Sequence, residues 1–238
     1  MKIEIWSDYV CPFCYIGKRR LESALEKFPQ RDTVEVKFKS FELDPHASRD
    51  TDESMYEILS KKYGMSLDEA KKMTESVVEQ AKTVGLDFNF DKMIRTNTLD
   101  AHRLAKFAEE KGKDKEIAEH LLKAYFTDAK HIGDHSTLTE IAVNAGLEQK
   151  DVQDVLNGNA YEEKVRIDEA KAKNIGVQGV PFFVINDKYA ISGAQPTETF
   201  LNALQKVWEE EYENSPLKPL NNTTNDKDPM CTDDRCDF

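Results

Sequence analysis

Two thiols separated by a Pro-Phe dipeptide, Cys11-Pro12-Phe13-Cys14, are the residues whose type and spacing most directly imply chemistry. Such a pair can close into a disulfide and reopen, one sulfur attacking and the other releasing what the first has captured. Pro12 suits the first position of a helix, where its missing N–H leaves no bond unmade. That places Cys11 at the N-cap and Cys14 one turn inside, in line with Gly17 and Leu21 on the inner face. A free cysteine titrates near ~8.5. A helix N-terminus favours an anion by roughly 0.3–2 kcal/mol, which at about 1.36 kcal/mol per unit moves Cys11 to about 7–8. A Cys11 thiolate would also accept the unpaired N–H groups of the first helical turn. Cys11 is therefore expected to attack, and the less exposed Cys14 to resolve. Two blander readings stand beside this one. Cys-x-x-Cys is half of a structural zinc site, but no second pair of ligands lies at a suitable spacing. A buried, inert pair is the other. No metal site is expected.

The elements that must hold the dithiol follow from periodicity. Lys2 to Ser7 reads as a short strand and Asp8-Tyr9-Val10 as a turn. Leu21, Ala24, Leu25 and Phe28 mark one face of the helix that begins at the dithiol. Val34, Val36 and Phe38 alternate with charged residues as a second strand, with Phe41 and Leu43 continuing its apolar set to Asp44-Pro45. From about 51 to 175 strand signals vanish. Ser66 to Val84 is one long helical stretch closed by Gly85, and Leu86 to Asp91 a linker whose aromatics pack inward. Further helices are carried by Leu104, Phe107 and Ala108, by Ile117, Leu121, Leu122 and Tyr125, and by Leu138, Ile141, Ala142 and Ala145. Glu148 to Asn157 and Tyr161 to Asn174 supply two more. Strands return at 181–185 and 189–192, before a last helix striped by Phe200, Leu201, Leu204, Val207 and Trp208.

The organisation expected is a discontinuous sheet domain over 1–50 and 176–214, a helical insertion over 51–175, and a flexible tail over 215–238 rich in Asn, Thr, Asp and Pro. At 238 residues the chain can build a core without disulfide staples. A formal net charge of -12 argues against general nucleic-acid or anionic-membrane binding. No stretch approaches the ~18 apolar residues of a membrane span, and the N-terminus has no signal-peptide pattern. The cytoplasm is the expected compartment, where a disulfide is more often catalytic than structural.

Val180-Pro181 opens an apolar strand after Gly179, and a proline there sits at a strand start or edge. Taken alone it is more often trans, since cis is only ~5–6% of X–Pro bonds. The order of motifs, however, resembles the DsbA family of the thioredoxin fold: strand, Cys-x-x-Cys at a helix start, strand, helical insertion, Val180-Pro181-Phe182-Phe183. Ser7-Asp8-Tyr9-Val10-Cys11-Pro12-Phe13-Cys14-Tyr15-Ile16-Gly17 resembles the FrnE-like branch in particular, as do Gly85-Leu86-Asp87-Phe88, Asn97-Thr98 with Ala101-His102-Arg103-Leu104, and Gly176 to Pro181. The resemblance spans about residues 1–212. It implies an α/β thioredoxin-like fold with a large all-helical insertion, a cis Pro181 facing the dithiol, and a Val180 backbone that receives an extended thiol substrate. It also implies a thiol–disulfide oxidoreductase or isomerase with Cys11, Cys14 and Pro181 as catalytic residues, and Pro12, Phe13 and Val180 meeting the substrate. Periplasmic DsbA oxidases carry histidine between the cysteines, whereas Pro12-Phe13 is nearer the glutaredoxin Cys-Pro-Tyr-Cys, for which potentials lie at about -200 to -230 mV. No cofactor beyond the disulfide is required, and glutathione is a candidate co-substrate.

Cys231 and Cys236 form a second pair near the C-terminus. They lie on different faces of any helix, so a disulfide between them needs a turn. From Asn214 an extended chain reaches ~56 Å to Cys231, against a domain radius of gyration of about 18 Å, so an auxiliary redox pair exchanging with Cys11 is within reach. Some FrnE-like relatives carry a comparable terminal pair; plain exposed thiols or metal ligands are the alternatives. His131 and His135 fall in an expected loop, His102 fills a subdomain interface or serves as a ligand, and Asp8 handles protons or shapes the turn. Partners are thiol- or disulfide-containing proteins or small molecules. Two other functions compete. The related 2-hydroxychromene-2-carboxylate isomerases and kappa-class transferases use glutathione, but usually have serine at the first site position. The other is a non-catalytic DsbA-like adaptor.

Overall fold

The computed structural model describes residues 1–213, 231–232 and 235–236, the last four and 212–213 by backbone alone. The chain runs β1 (Lys2–Ser7), α1 (Pro12–Lys27), β2 (Glu35–Ser40), then seven helices, α2 (Met55–Tyr63), α3 (Leu67–Lys82), α4 (Leu99–Glu110), α5 (Asp114–Phe126), α6 (His135–Asn144), α7 (Gln149–Asn157) and α8 (Glu162–Asn174). It returns through β3 (Phe182–Ile185), β4 (Tyr189–Ser192) and α9 (Thr197–Trp208), and ends in the two-residue strands β5 (Cys231–Thr232) and β6 (Arg235–Cys236). This is the mixed α/β thioredoxin-like architecture with a helical insertion.

The main sheet has the order β2-β1-β3-β4. β1 and β2 are parallel, Lys2 opposite Glu35 through Ser7 opposite Ser40, so α1 must cross over between them. β3 runs antiparallel to β1, with Ile3 against Ile185 and Trp6 against Phe182. Ile3, Ile5, Phe183 and Ile185 face α1 and α9, where Leu21, Ala24, Phe28, Phe200 and Leu204 complete one core. Trp6 points to the other face, fully buried with Ala172 and Val177, and its indole N–H donates to Asp168 O at 2.9 Å. Tyr15 and Ile16 of α1 join the insertion's own core with Leu86, Phe88, Leu104, Leu121 and Phe126. A carboxylate locks this junction: Glu119 of α5 accepts from Tyr15 Oη at 2.6 Å, Lys18 Nζ at 2.5 Å and the Arg19 guanidinium.

Four details differ from the sequence expectation. β2 stops at Ser40, because β1 stops at the opposing Ser7 and no ladder remains. Leu43, expected to continue the apolar set, is 45% exposed. α2 stands apart although its sequence is too polar to show a stripe; it buries only Ile58 and is started by a capping box between Ser54 and Glu57. His135 opens α6 rather than lying in a loop, since Asp134 caps that helix by accepting from Thr137 N at 2.9 Å. The tail falls largely outside the described residues. Within it the backbones of β5 and β6 pair antiparallel, Cys231 opposite Cys236, and the side chains of that second pair are not described.

Candidate active site

The dithiol lies where β1 ends and α1 begins. Cys11 is the N-cap residue, with extended backbone (φ -94°, ψ 112°), and Pro12 occupies the first turn. The preceding turn is closed by Cys11 N–H donating to Asp8 O at 3.2 Å, and the first helical turn by Cys14 N–H to Cys11 O at 3.0 Å. Both cysteines are free thiols. The Cys11 thiol makes no capping bond to its helix; it donates instead to Val180 O at 3.4 Å. The Val180–Pro181 bond is cis, and Pro181 is buried beside α1. Gly17 permits this approach, since a Cβ there would stand 3.1 Å from the Pro181 ring and 3.2 Å from Phe183.

Burial does not separate the two sulfurs as expected. Cys11 is 4% and Cys14 3% exposed, and the Val180 carbonyl lies 3.4 Å from the first. Their electrostatics differ. Burial, then the hydrogen bond and charge of Cys11, push the Cys14 thiol well above the ordinary cysteine range, while the Ser7 hydroxyl and the Asp8 N–H oppose that rise. Phe13 is 39% exposed at the rim, and Pro12 is half-buried.

Asp8 shapes the turn. Its carboxylate is 1% exposed and accepts from Leu43 N at 2.8 Å through Oδ2, while Oδ1 lies 3.3 Å from His102 Nε2. His102 is itself buried at the junction with the insertion and packs on Tyr9, ring centroids 4.8 Å apart. The Leu43 contact carried no sequence signal, because a backbone N–H is donated there by any residue but proline. His135 Nε2 lies 2.7 Å from Asp100 Oδ2, and His131 contacts Arg49 O. Among the described residues no group of three or more His, Cys, Asp or Glu side chains could hold a metal ion.

Taken with the sheet order and the insertion, a dithiol at a helix start facing a cis-prolyl loop is the arrangement of the DsbA-like branch of the thioredoxin fold. Residues 2–205 match the DSBA-like thioredoxin domain, and the chain belongs to this family of thiol–disulfide oxidoreductases. It is 30% identical over 204 residues to YwbO of Bacillus subtilis (strain 168), covering 85% of this chain and 94% of that one. A crystal structure of a probable DsbA oxidoreductase from Streptomyces coelicolor superposes with a TM-score of 0.86 at 39% identity, covering 100% of this chain and 99% of that one. The fold is shared more distantly with cytosolic disulfide reductase DsbM from Pseudomonas aeruginosa, solved with GSH, at a TM-score of 0.62 and 13% identity over 87% of this chain and 98% of that one.

Proposed function

We propose that this protein exchanges disulfides through the Cys11–Cys14 couple, acting on protein or small thiol substrates in the cytoplasm. Cys11 attacks a substrate disulfide as thiolate, one substrate sulfur leaves as a thiolate and takes a proton from solvent, and a mixed disulfide forms. Cys14 then attacks Cys11 Sγ, closing the Cys11–Cys14 disulfide and releasing the second substrate thiol; the reverse sequence oxidises a dithiol. The carrying observation is the Cys11 sulfur, at a helix N-terminus and 3.4 Å from the Val180 carbonyl, with Cys14 one turn behind it. Pro181 shapes that wall, Val180 offers backbone to an extended substrate, and Pro12 and Phe13 form the rim. The sequence motifs favour the FrnE-like branch.

Insulin reduction and scrambled-ribonuclease assays test the reading. Cys11→Ser should abolish turnover, and Cys14→Ser should accumulate the mixed disulfide. Partner binding with no thiol activity in the unmodified protein would instead support the adaptor. Glutathione is the proposed small co-substrate. A 2-hydroxychromene-2-carboxylate isomerase shares the fold at 15% identity, but two retained cysteines favour disulfide exchange over glutathione-dependent isomerisation. Cys231 and Cys236 are proposed to exchange with the main dithiol, in keeping with their opposed backbones. Unchanged turnover in a Cys231→Ser, Cys236→Ser double variant would remove that role.

A further inference from the structure

Disulfide exchange leaves a second concave surface of the molecule without a role. β2 is the edge strand of the main sheet. Val36 lies opposite Ile3 and Phe38 opposite Ile5, on the face that α1 covers. Ile3 and Ile5 of β1 are buried there, but Val36 and Phe38 are only half-buried, since an edge strand has no outer neighbour to extend the cover. α5 of the helical insertion stands across from α1, and between them lies a groove of about 590 Å³. Its floor is Ile5, Leu21, Leu25, Val36 and Phe38. On α1 its wall begins at Lys18, about two helical turns beyond Cys11, and neither cysteine lines it. A cleft of about 300–1,000 Å³ at a junction of substructures, apolar with a few polar groups, is the form that small-molecule sites take.

The rim carries charges of both signs, and their pairing decides what the groove accepts. Glu22 meets Lys18 at 2.6 Å and Arg19 at 2.7 Å. Glu119 meets Lys18 at 2.5 Å and the Arg19 guanidinium. These two acids and two bases offset one another. Glu116, the remaining acid of the lining, meets Lys113 at 3.4 Å. Lys115, exposed, and His120, half-buried, are left over on the α5 wall. Among the described residues neither side chain makes a hydrogen bond or ion pair, although His120 lies in the field of Glu116. Lys115 brings a positive charge, and even a neutral imidazole offers one N–H. The groove therefore joins an apolar floor to a wall whose unspent groups are donors.

We infer that this groove is a binding site for a small amphiphilic anion, a carboxylate carried on a hydrocarbon chain. The chain lies on Leu25, Val36 and Phe38, and the carboxylate accepts from Lys115 and His120. Each methylene withdrawn from water onto the floor strengthens binding about fourfold. The anionic group answers the donors that no acid of the protein has taken. A cationic chain of the same length meets the floor equally well but is repelled by Lys115. The site does not depend on the disulfide-exchange reading, and no covalent bond forms in it.

The experiment titrates the full chain with decanoate by calorimetry. Decanoate should fill a single saturable site, octanoate should bind at least about fourfold more weakly, and octylamine should not displace either. Lys115→Gln with His120→Gln should weaken decanoate about fivefold, the upper worth of one exposed ion pair, at an unchanged melting temperature. In the unaltered chain the methyl resonances of Leu25 and Val36 should shift with decanoate, a reading that does not depend on any variant folding. No binding at millimolar decanoate, equal binding of octanoate, displacement by octylamine, or methyls that do not move would overturn the site. Undiminished affinity in the Lys115, His120 variant would overturn the part given to those two donors. A dimer in light scattering that Val36→Asp dissociates would give the groove to a second copy of the chain and overturn the anion as its occupant.

Discussion

Placing a single methyl group at position 17 tests whether α1 is pressed against the prolyl loop. A Cβ on Gly17 would stand 3.1 Å from Pro181 Cγ, 3.2 Å from Phe183 Cζ and 3.4 Å from Ala194 Cβ. None of these is the free end of a flexible side chain, so the wall must retreat by a few tenths of an ångström. Gly17→Ala has a gain to set against this, since alanine in a helix interior is worth about 1 kcal/mol over glycine. Overpacking a tight site costs about 1–3 kcal/mol. The sum is a loss of about 0–2 kcal/mol, or up to about 8 °C in melting temperature for a chain of this size. Activity should respond more sharply than stability, because the atoms that must yield belong to the loop carrying Val180 O, which meets Cys11 Sγ at 3.4 Å. A shift of about 1 Å at a reacting centre can cost about a hundredfold, so a few tenths should lower insulin reduction severalfold. Thermal unfolding and turnover are measured on the same preparation. A variant that melts higher by the helical gain and reduces insulin at the unaltered rate would refute the tight packing.

Two other perturbations probe what holds the site in place. Glu119 is brought from an ordinary 4.5 to about 2: burial raises it, but hydrogen bonds from Arg19, Lys18 and Tyr15 outweigh that. With its pKa lowered in the folded state, its contribution is present above about 4.5 and lost as the pH falls toward about 2. At 1.36 kcal/mol per unit, discounted for solvent screening, it is worth about 1–2 kcal/mol. Glu119→Gln should therefore flatten that acid arm in urea titrations; an arm of unchanged steepness contradicts the linkage. Asp8→Ala leaves Leu43 N and His102 without their acceptor in a buried site, and unfolding in urea should show a loss of about 2–4 kcal/mol. A loss below about 0.5 kcal/mol, typical of a surface substitution, would mean that the carboxylate does not hold the turn.

The sequence was most informative where local pattern and tertiary role coincide. β1, α1 and the aromatic linker are legible because alternation, a Pro at the helix start and inward rings each state the burial they adopt; Phe88 and Phe90 are indeed buried. α2 is hidden because it covers little core, so its evidence is a capping box rather than a stripe. The end of β2 depends on the length of its partner strand, which Phe41 and Leu43 cannot report. Cys11 read as the more exposed thiol because its position on α1 says nothing of what another segment lays over it.

That covering segment arrives from far along the chain, and topology explains its position. Antiparallel pairing of Trp6 with Phe182 sets the residues before Phe182 beside those after Trp6. Val180 and Pro181 must then lie next to Ser7 and Asp8, the residues that lead into the dithiol turn. Gly17, six residues beyond Cys11, keeps α1 low enough for the loop to meet the sulfur. The contact also has a chemical consequence. A Cys11 thiol donates to Val180 O, whereas a thiolate has no hydrogen to give, so under the proposed function both lone pairs of that carbonyl would then be open to N–H donors of an extended substrate. Under that function, the ionisation that would make Cys11 the nucleophile would also unload the backbone acceptor beside it, coupling attack to substrate docking.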